Sequence, residues 1–118
     1  MTTKFLFVLH DPPYGTERVY NGLRWATEVA RREDTEVKIF LFGDSVVSVV
    51  EGQKTPDGYY NAGKMATNFA RQGGEIGCCG TCMDARGMSD DNLTKGAHRS
   101  SMKELTDWTE WADKVINV

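Results

Sequence analysis

The stretch Lys-Phe-Leu-Phe-Val-Leu at residues 4–9 is continuously apolar after its lysine, and the loop His-Asp-Pro-Pro-Tyr-Gly follows it at residues 10–15. A short, uninterrupted apolar run is typical of a strand that is buried on both faces, as the strands of parallel sheets are. The run is too short for the apolar region of a secretory signal, and no small-residue cleavage site follows it. It therefore predicts a first, buried strand.

After this first strand, patterns typical of helices and strands alternate along the rest of the chain. Four further strands are predicted, at residues 36–42, 75–78, 97–100 and 113–118. Apolar residues recur at helical spacing in three segments between them, which begin near Thr16, Asn61 and Ser101. Residues 45–50 fit a short buried helix, although their valines would suit a strand equally well.

This alternation predicts an α/β fold, in which a mostly parallel sheet is covered by helices on both faces. In such folds the functional groups gather beyond the carboxyl ends of the strands. The 118 residues suit one domain over residues 1–118. A net charge of -3 argues against a nucleic-acid partner, and no apolar run approaches the roughly 20 residues that span a membrane.

All three cysteines of the chain stand in the run Gly-Cys-Cys-Gly-Thr-Cys at residues 77–82, between a predicted strand and a probable helix start. A cysteine reacts as its thiolate, which a helix N-terminus stabilises. Arg86 follows Cys82 by one helical turn, where it either stabilises a thiolate or pairs with Asp84 or Asp90 on the surface. Clustered cysteines in an odd number do not form a disulfide framework, so we expect a reducing, cytoplasmic location.

The sequence contains two other candidate sites. His10 follows the first strand at the edge expected to hold Cys79, where it either exchanges protons with that thiol or is simply solvated. The three cysteines with His98 match the ligand types of a zinc site, but adjacent cysteines do not easily turn to one metal. We therefore expect no metal and no cofactor, because no glycine-rich phosphate loop is present either.

The chain resembles the DsrE/DsrF-like family of sulfur-relay proteins over essentially its whole length. The resemblance rests on four stretches, at residues 12–16, 41–44, 79–88 and 112–115. It implies a three-layer α/β/α sandwich with a five-stranded, mostly parallel sheet, and assembly into homotrimers or homohexamers. It also implies that the sulfur-carrying cysteine is Cys79. The doubled Cys78-Cys79 and the additional Cys82 depart from a carrier that needs one cysteine.

These observations predict a sulfur-relay protein that takes sulfane sulfur onto Cys79 as a persulfide and passes it from a donor protein to an acceptor thiol. Cys82 then either resolves Cys79 as a disulfide, at the spacing of thiol–disulfide enzymes, or faces the core. Cys78 is expected to point away from Cys79 and into the core, because side chains alternate along a strand. Two alternatives remain: a redox protein that uses the Cys79–Cys82 pair, and a non-catalytic oligomeric module.

Overall fold

The computed structural model describes all residues from 1 to 118. The five strands are β1 (Thr3–Leu9), β2 (Thr35–Leu41), β3 (Glu75–Cys79), β4 (Ala97–Ser100) and β5 (Lys114–Asn117). The four α-helices are α1 (Arg18–Ala30), α2 (Ala62–Arg71), α3 (Gly80–Ala85) and α4 (Met102–Trp111). Two 3₁₀ segments, Gly43–Val49 and Asp90–Asn92, complete the regular structure.

The strands form one sheet in the order β4-β3-β2-β1-β5, and every neighbouring pair is parallel. The predicted α/β class with five strands is confirmed, and the sheet is parallel throughout. Because β1 lies inside the sheet, between β2 and β5, and helices cover both faces, its apolar run is enclosed, and Leu6, Phe7 and Leu9 are fully buried. This burial explains why the run lacks the alternation of a half-exposed strand.

Helices cover both faces of the sheet. On one face, Trp25 of α1 meets Phe7 edge to face at 5.3 Å between ring centroids. On the other face, Trp108 of α4 meets Phe40 edge to face at 6.3 Å. Gly77 of β3 is close to Trp108, since a Cβ there would lie 3.1 Å from the indole. The sheet is therefore the middle layer of three.

Two of the predicted helix starts are capped as expected. The Asn61 side chain accepts a hydrogen bond from the Lys64 N–H at 3.0 Å, and Ser101 accepts one from the Glu104 N–H at 3.2 Å. At the third start, α1 begins after Glu17, whose side chain makes no capping bond, and the predicted cap Thr16 accepts a hydrogen bond from the Arg18 N–H at 3.4 Å. The ambiguous segment at residues 45–50 is mainly a 3₁₀ helix, which supports the helical interpretation.

None of the helices has the length and apolar composition that crossing a membrane requires.

Candidate functional site

The candidate site lies where β3 passes directly into α3. Cys78 and Cys79 are the last two residues of β3, and α3 starts at the next residue, Gly80. Cys78 pairs with Leu41 of β2, whereas Cys79 pairs with Ser100 of β4. Since consecutive strand residues point to opposite faces, the two sulfur atoms lie on opposite sides of the sheet.

The Cys78 thiol belongs to the hydrophobic core. Its side chain is fully buried, and this burial, together with the neighbouring Cys79, raises its pKa to about 12. A thiol with so high a pKa is almost entirely protonated near neutral pH, and its sulfur is out of reach of solvent. The structure thus places Cys78 where the sequence predicted it.

The Cys79 thiol is 8% exposed and caps the N-terminus of α3. Its sulfur accepts a hydrogen bond from the Cys82 N–H at 3.4 Å and lies 3.3 Å from the Thr81 hydroxyl oxygen. Burial opposes ionisation, but hydrogen bonds from the side chains and backbone of Cys82 and Thr81 outweigh it, so the pKa of Cys79 falls below its ordinary value. This sulfur has the environment of a reactive thiolate.

The pKa of the Cys82 thiol shifts in the opposite direction. Burial and its hydrogen bond to Cys79 raise the pKa of Cys82. All three cysteines are free, so Cys82 is a thiol beside Cys79, and the pKa shifts of the two thiols have opposite directions. A thiolate beside a thiol can act as a nucleophile, and the same pair can also close into a disulfide.

Arg86 anchors the C-terminal end of α3. Its Nε and Nη2 donate to the same carboxylate oxygen of Asp44 at 3.0 and 2.8 Å, and its Nη1 donates to the Cys82 carbonyl at 3.0 Å. The surface partners considered from the sequence, Asp84 and Asp90, instead contact Arg99 at 2.7 and 3.5 Å. Arg86 therefore holds the turn that carries Cys82, and it makes no hydrogen bond to the Cys79 sulfur.

The His10 side chain makes its hydrogen bond and its stacking contact with residues other than the cysteines. Its Nε2 is 3.0 Å from the Asn117 side-chain oxygen, and its ring stacks on Phe42 at 5.9 Å between centroids. Strand β2 separates β1, which His10 follows, from β3, which carries Cys79. The expected proton exchange with Cys79 therefore has no hydrogen bond to support it.

The side chain of His98 makes no hydrogen bond to a thiol. It is hydrogen-bonded to Glu104 and meets Trp108 edge to face at 5.8 Å. No three or more His, Cys, Asp or Glu side chains are arranged to hold a metal ion.

Two residues of the site have roles that the sequence did not assign. Thr81 contacts the Cys79 sulfur, and Asp44 binds Arg86 from the start of the 3₁₀ segment. Thr81 lies inside the C-x-x-C motif, so its hydroxyl, two residues after the candidate nucleophile, could have been recognised from the sequence as a contact of that sulfur. Asp44 is 42 residues from Arg86 in the chain, and only the fold brings the two together.

Comparison with known proteins gives consistent matches across the chain. The model of the DsrE/DsrF-like family matches residues 3–118. Protein YchN of Escherichia coli is 35% identical over 114 residues, which cover 96% of this chain and 97% of YchN. An uncharacterised protein of Methanopyrus kandleri is 38% identical over 109 residues, or 92% of this chain and 88% of the relative.

Two solved structures match this chain over nearly its whole length. The crystal structure of the Escherichia coli YchN protein superposes with a TM-score of 0.93 at 34% identity, covering 99% of this chain and 100% of that one. A protein of unknown function from Methanobacterium thermoautotrophicum has a TM-score of 0.77 at 16% identity, covering 98% and 99% of the two chains. This second likeness bears on the fold alone.

Proposed function

The chain belongs to the DsrE/DsrF-like family, which is generally related to sulfur relay, and we propose that it carries sulfane sulfur as a persulfide on Cys79. The observation that carries the proposal is the polar environment of the Cys79 sulfur, which accepts a hydrogen bond from the Cys82 N–H and lies within hydrogen-bond distance of the Thr81 hydroxyl. These contacts favour the thiolate, which is the form that attacks sulfur.

The transfer consists of two displacements. In the first, the Cys79 thiolate attacks the outer sulfur of a donor persulfide; a new S–S bond forms, the donor S–S bond breaks, and the donor leaves as its thiolate. In the second, an acceptor thiolate attacks the outer sulfur now on Cys79, and Cys79 leaves as a thiolate. A low pKa makes Cys79 a good leaving group in the second step. Neither step needs an outside oxidant or reductant.

Cys82 offers a second route for release. Its thiolate attacks the inner sulfur of the persulfide, so that a Cys79–Cys82 disulfide forms and hydrogen sulfide leaves. The two electrons that reduce the sulfane sulfur come from the two cysteines, and a dithiol reductant must then restore them. The contact between Cys79 and Cys82 supports this role, and Arg86 supports it by holding the Cys82 carbonyl.

The proposal includes the setting in which the carrier works. Its partners are a sulfur-donor protein and a sulfur-acceptor protein, and the chain assembles as a homotrimer or homohexamer. Three free thiols, of which one has a lowered pKa, suit a reducing cytoplasm, where they stay unoxidised.

Loading with a defined low-molecular-weight persulfide tests the proposal. We expect one added sulfur atom on the peptide that contains Cys79, seen by mass spectrometry, and none in the Cys79→Ser variant. The Cys82→Ser variant is the matched control: it keeps the nucleophile, so it loads but does not release hydrogen sulfide. Equal loading of Cys79→Ser and the parent protein would show that the sulfur is carried elsewhere.

The second candidate function is thiol–disulfide exchange by the same pair. The unequal acidity of Cys79 and Cys82 favours it, because this inequality is common in C-x-x-C oxidoreductases. A reversible two-electron potential near that of thioredoxin, about -270 mV, without uptake of sulfane sulfur would support this function over persulfide transfer.

A further inference from the structure

The Thr81 side chain is the one hydroxyl in contact with the candidate nucleophile. Its Oγ1 lies 3.3 Å from the Cys79 sulfur, and the residue itself is exposed at the first turn of α3. A hydroxyl at this distance from a sulfur is within the range of a hydrogen bond in which either atom is the donor.

The charged groups around Cys79 are each bound to a partner of opposite charge. Arg86 pairs with Asp44, beyond Cys82. Arg99 of β4, whose Nε would lie 3.0 Å from a Cβ on Gly80, pairs with Asp84 and Asp90.

The remaining carboxylate near this face is also hydrogen-bonded. Glu104 of α4 accepts hydrogen bonds from Ser100 and His98. The buried Cys78 thiol is neutral near neutral pH and lies on the opposite face of the sheet. Arg86 and Arg99, the arginines beside the turn from β3 to α3, are thus both paired with carboxylates, and neither is hydrogen-bonded to the Cys79 sulfur.

We propose that Thr81 is a positioning residue for Cys79, whose hydroxyl, together with the backbone N–H of Cys82, holds the sulfur in its reactive form by neutral hydrogen bonds in place of a cation. This inference deepens the proposed function and concerns the same sulfur atom. It assigns to uncharged donors the stabilisation of the thiolate that the sequence suggested for Arg86.

The hydroxyl suits this role because it can reverse its hydrogen bond. While Cys79 is protonated, its S–H donates to the Thr81 oxygen; once the proton has left, the rotated O–H donates to the sulfur anion. A hydrogen bond to a charged group is stronger than one between neutral groups, but exposure to water reduces its effect. We therefore expect about a tenfold effect on the thiolate population, since about 1.4 kcal/mol corresponds to one pH unit.

The test compares Thr81→Val, which keeps the shape and removes the hydroxyl, with Thr81→Ser, which keeps the hydroxyl. The rate of alkylation of Cys79 by iodoacetamide is followed against pH, and mass spectrometry assigns the modified cysteine. We expect the midpoint to rise by about one pH unit in Thr81→Val and to stay near that of the parent in Thr81→Ser. Equal midpoints in all three proteins would overturn the proposal, as would a shift in Thr81→Ser as large as that in Thr81→Val.

Ionic strength provides a second measurement. A thiolate held by a cation loses acidity in salt, because screening weakens ion pairs, whereas one held by neutral donors changes little. We expect the midpoint of the parent protein to be nearly constant up to about 1 M salt, where the screening length is about 3 Å. A steep rise of the midpoint with salt would assign the activation to a charge and contradict the proposal.

The same variants separate this inference from the function it builds on. If Thr81→Val shifts the midpoint while the parent protein takes up no sulfane sulfur, the role of Thr81 stands and the persulfide carrier is rejected. If the parent loads sulfur and Thr81→Val leaves the midpoint unchanged, the carrier stands and the role of Thr81 is rejected. Thermal unfolding and a Thr81→Ala variant control for damage to the fold.

Discussion

At the scale of single residues, the neighbouring thiols Cys78 and Cys79 differ in nearly every property that governs reactivity. They are joined by one peptide bond, yet burial raises the pKa of Cys78 to about 12 while hydrogen bonds lower that of Cys79. The strand period of two produces this contrast, because it sends one side chain toward α1 and α2 and the other toward α4. The face of the sheet to which each cysteine points therefore determines whether its thiol is reactive.

The raised pKa of Cys78 predicts a loss of stability in alkaline solution. In the unfolded chain the Cys78 thiol ionises near its ordinary value of 9.0, whereas in the folded protein it stays protonated up to about 12. Between these values the folded state binds the extra proton, so the free energy of unfolding falls by about 1.4 kcal/mol for each pH unit. Urea unfolding at several pH values measures this slope.

The matched variant for this prediction is Cys78→Ala. Other groups, Tyr60 among them, also titrate in alkaline solution, but they contribute equally to both proteins. The variant should lose about 1 kcal/mol or more of stability at neutral pH from the missing sulfur, and its slope between pH 9 and about 12 should be shallower than that of the parent. Identical slopes would mean that the Cys78 thiol ionises in the folded state at its ordinary pKa.

At the scale of elements, the turn from β3 to α3 depends on a tether. Helix α3 has only 6 residues, too few to be stable by itself. The Arg86 side chain joins its end to Asp44 in the 3₁₀ segment and to its own turn through the Cys82 carbonyl. The geometry of the C-x-x-C pair therefore depends on contacts made outside the motif.

A double-mutant cycle tests this tether. We expect Arg86→Gln and Asp44→Asn each to lower the free energy of unfolding, with a coupling energy of about 0.5–1 kcal/mol, as is usual for an exposed ion pair with good geometry. Arg86→Gln should have the larger single effect, because it also loses the hydrogen bond to Cys82. Strictly additive effects would contradict a direct pair, and chemical denaturation of the four proteins provides the measurement.

The sequence predicted the elements well and the contacts between them poorly. Continuous apolar runs and capping residues such as Asn61 and Ser101 are local signals, and the structure confirms them. The partner of Arg86 was missed, since Asp44 is distant in sequence and no periodicity connects the two. The role suggested for His10 stays a prediction: His10 and Cys79 both lie at the carboxyl ends of strands on one edge, and the strand order places β2 between those two strands.

At the scale of the whole molecule, several large apolar side chains are exposed to solvent. Trp25 is 51% exposed on α1, and Val115 is 45% exposed on the edge strand β5. Exposed aromatic and aliphatic side chains on a rigid surface are common at subunit interfaces. An edge strand is itself a place where another chain is able to pair.

We therefore expect self-association to a trimer or hexamer. Sedimentation equilibrium at micromolar concentration should give a mass of three or six times that of the 13.2 kDa chain. The physical reason is that burial of these side chains removes apolar area from water, at about 25 cal/mol per Å². A monomer at every concentration would contradict this expectation, and a dimer would indicate a different interface.

Because Cys78 and Cys79 point to opposite faces of the sheet, chemical labelling of the two thiols reports whether a molecule is folded. Trypsin cleaves after Arg71 and Arg86 and at no point between them, so every thiol of the chain is recovered on a single peptide. A tag on Cys79 without one on Cys78 records that a molecule was folded when it met the reagent, whereas a tag on Cys78 as well records that it had opened. In cells under oxidative stress, one fragment would thus distinguish sulfur chemistry from damage, molecule by molecule.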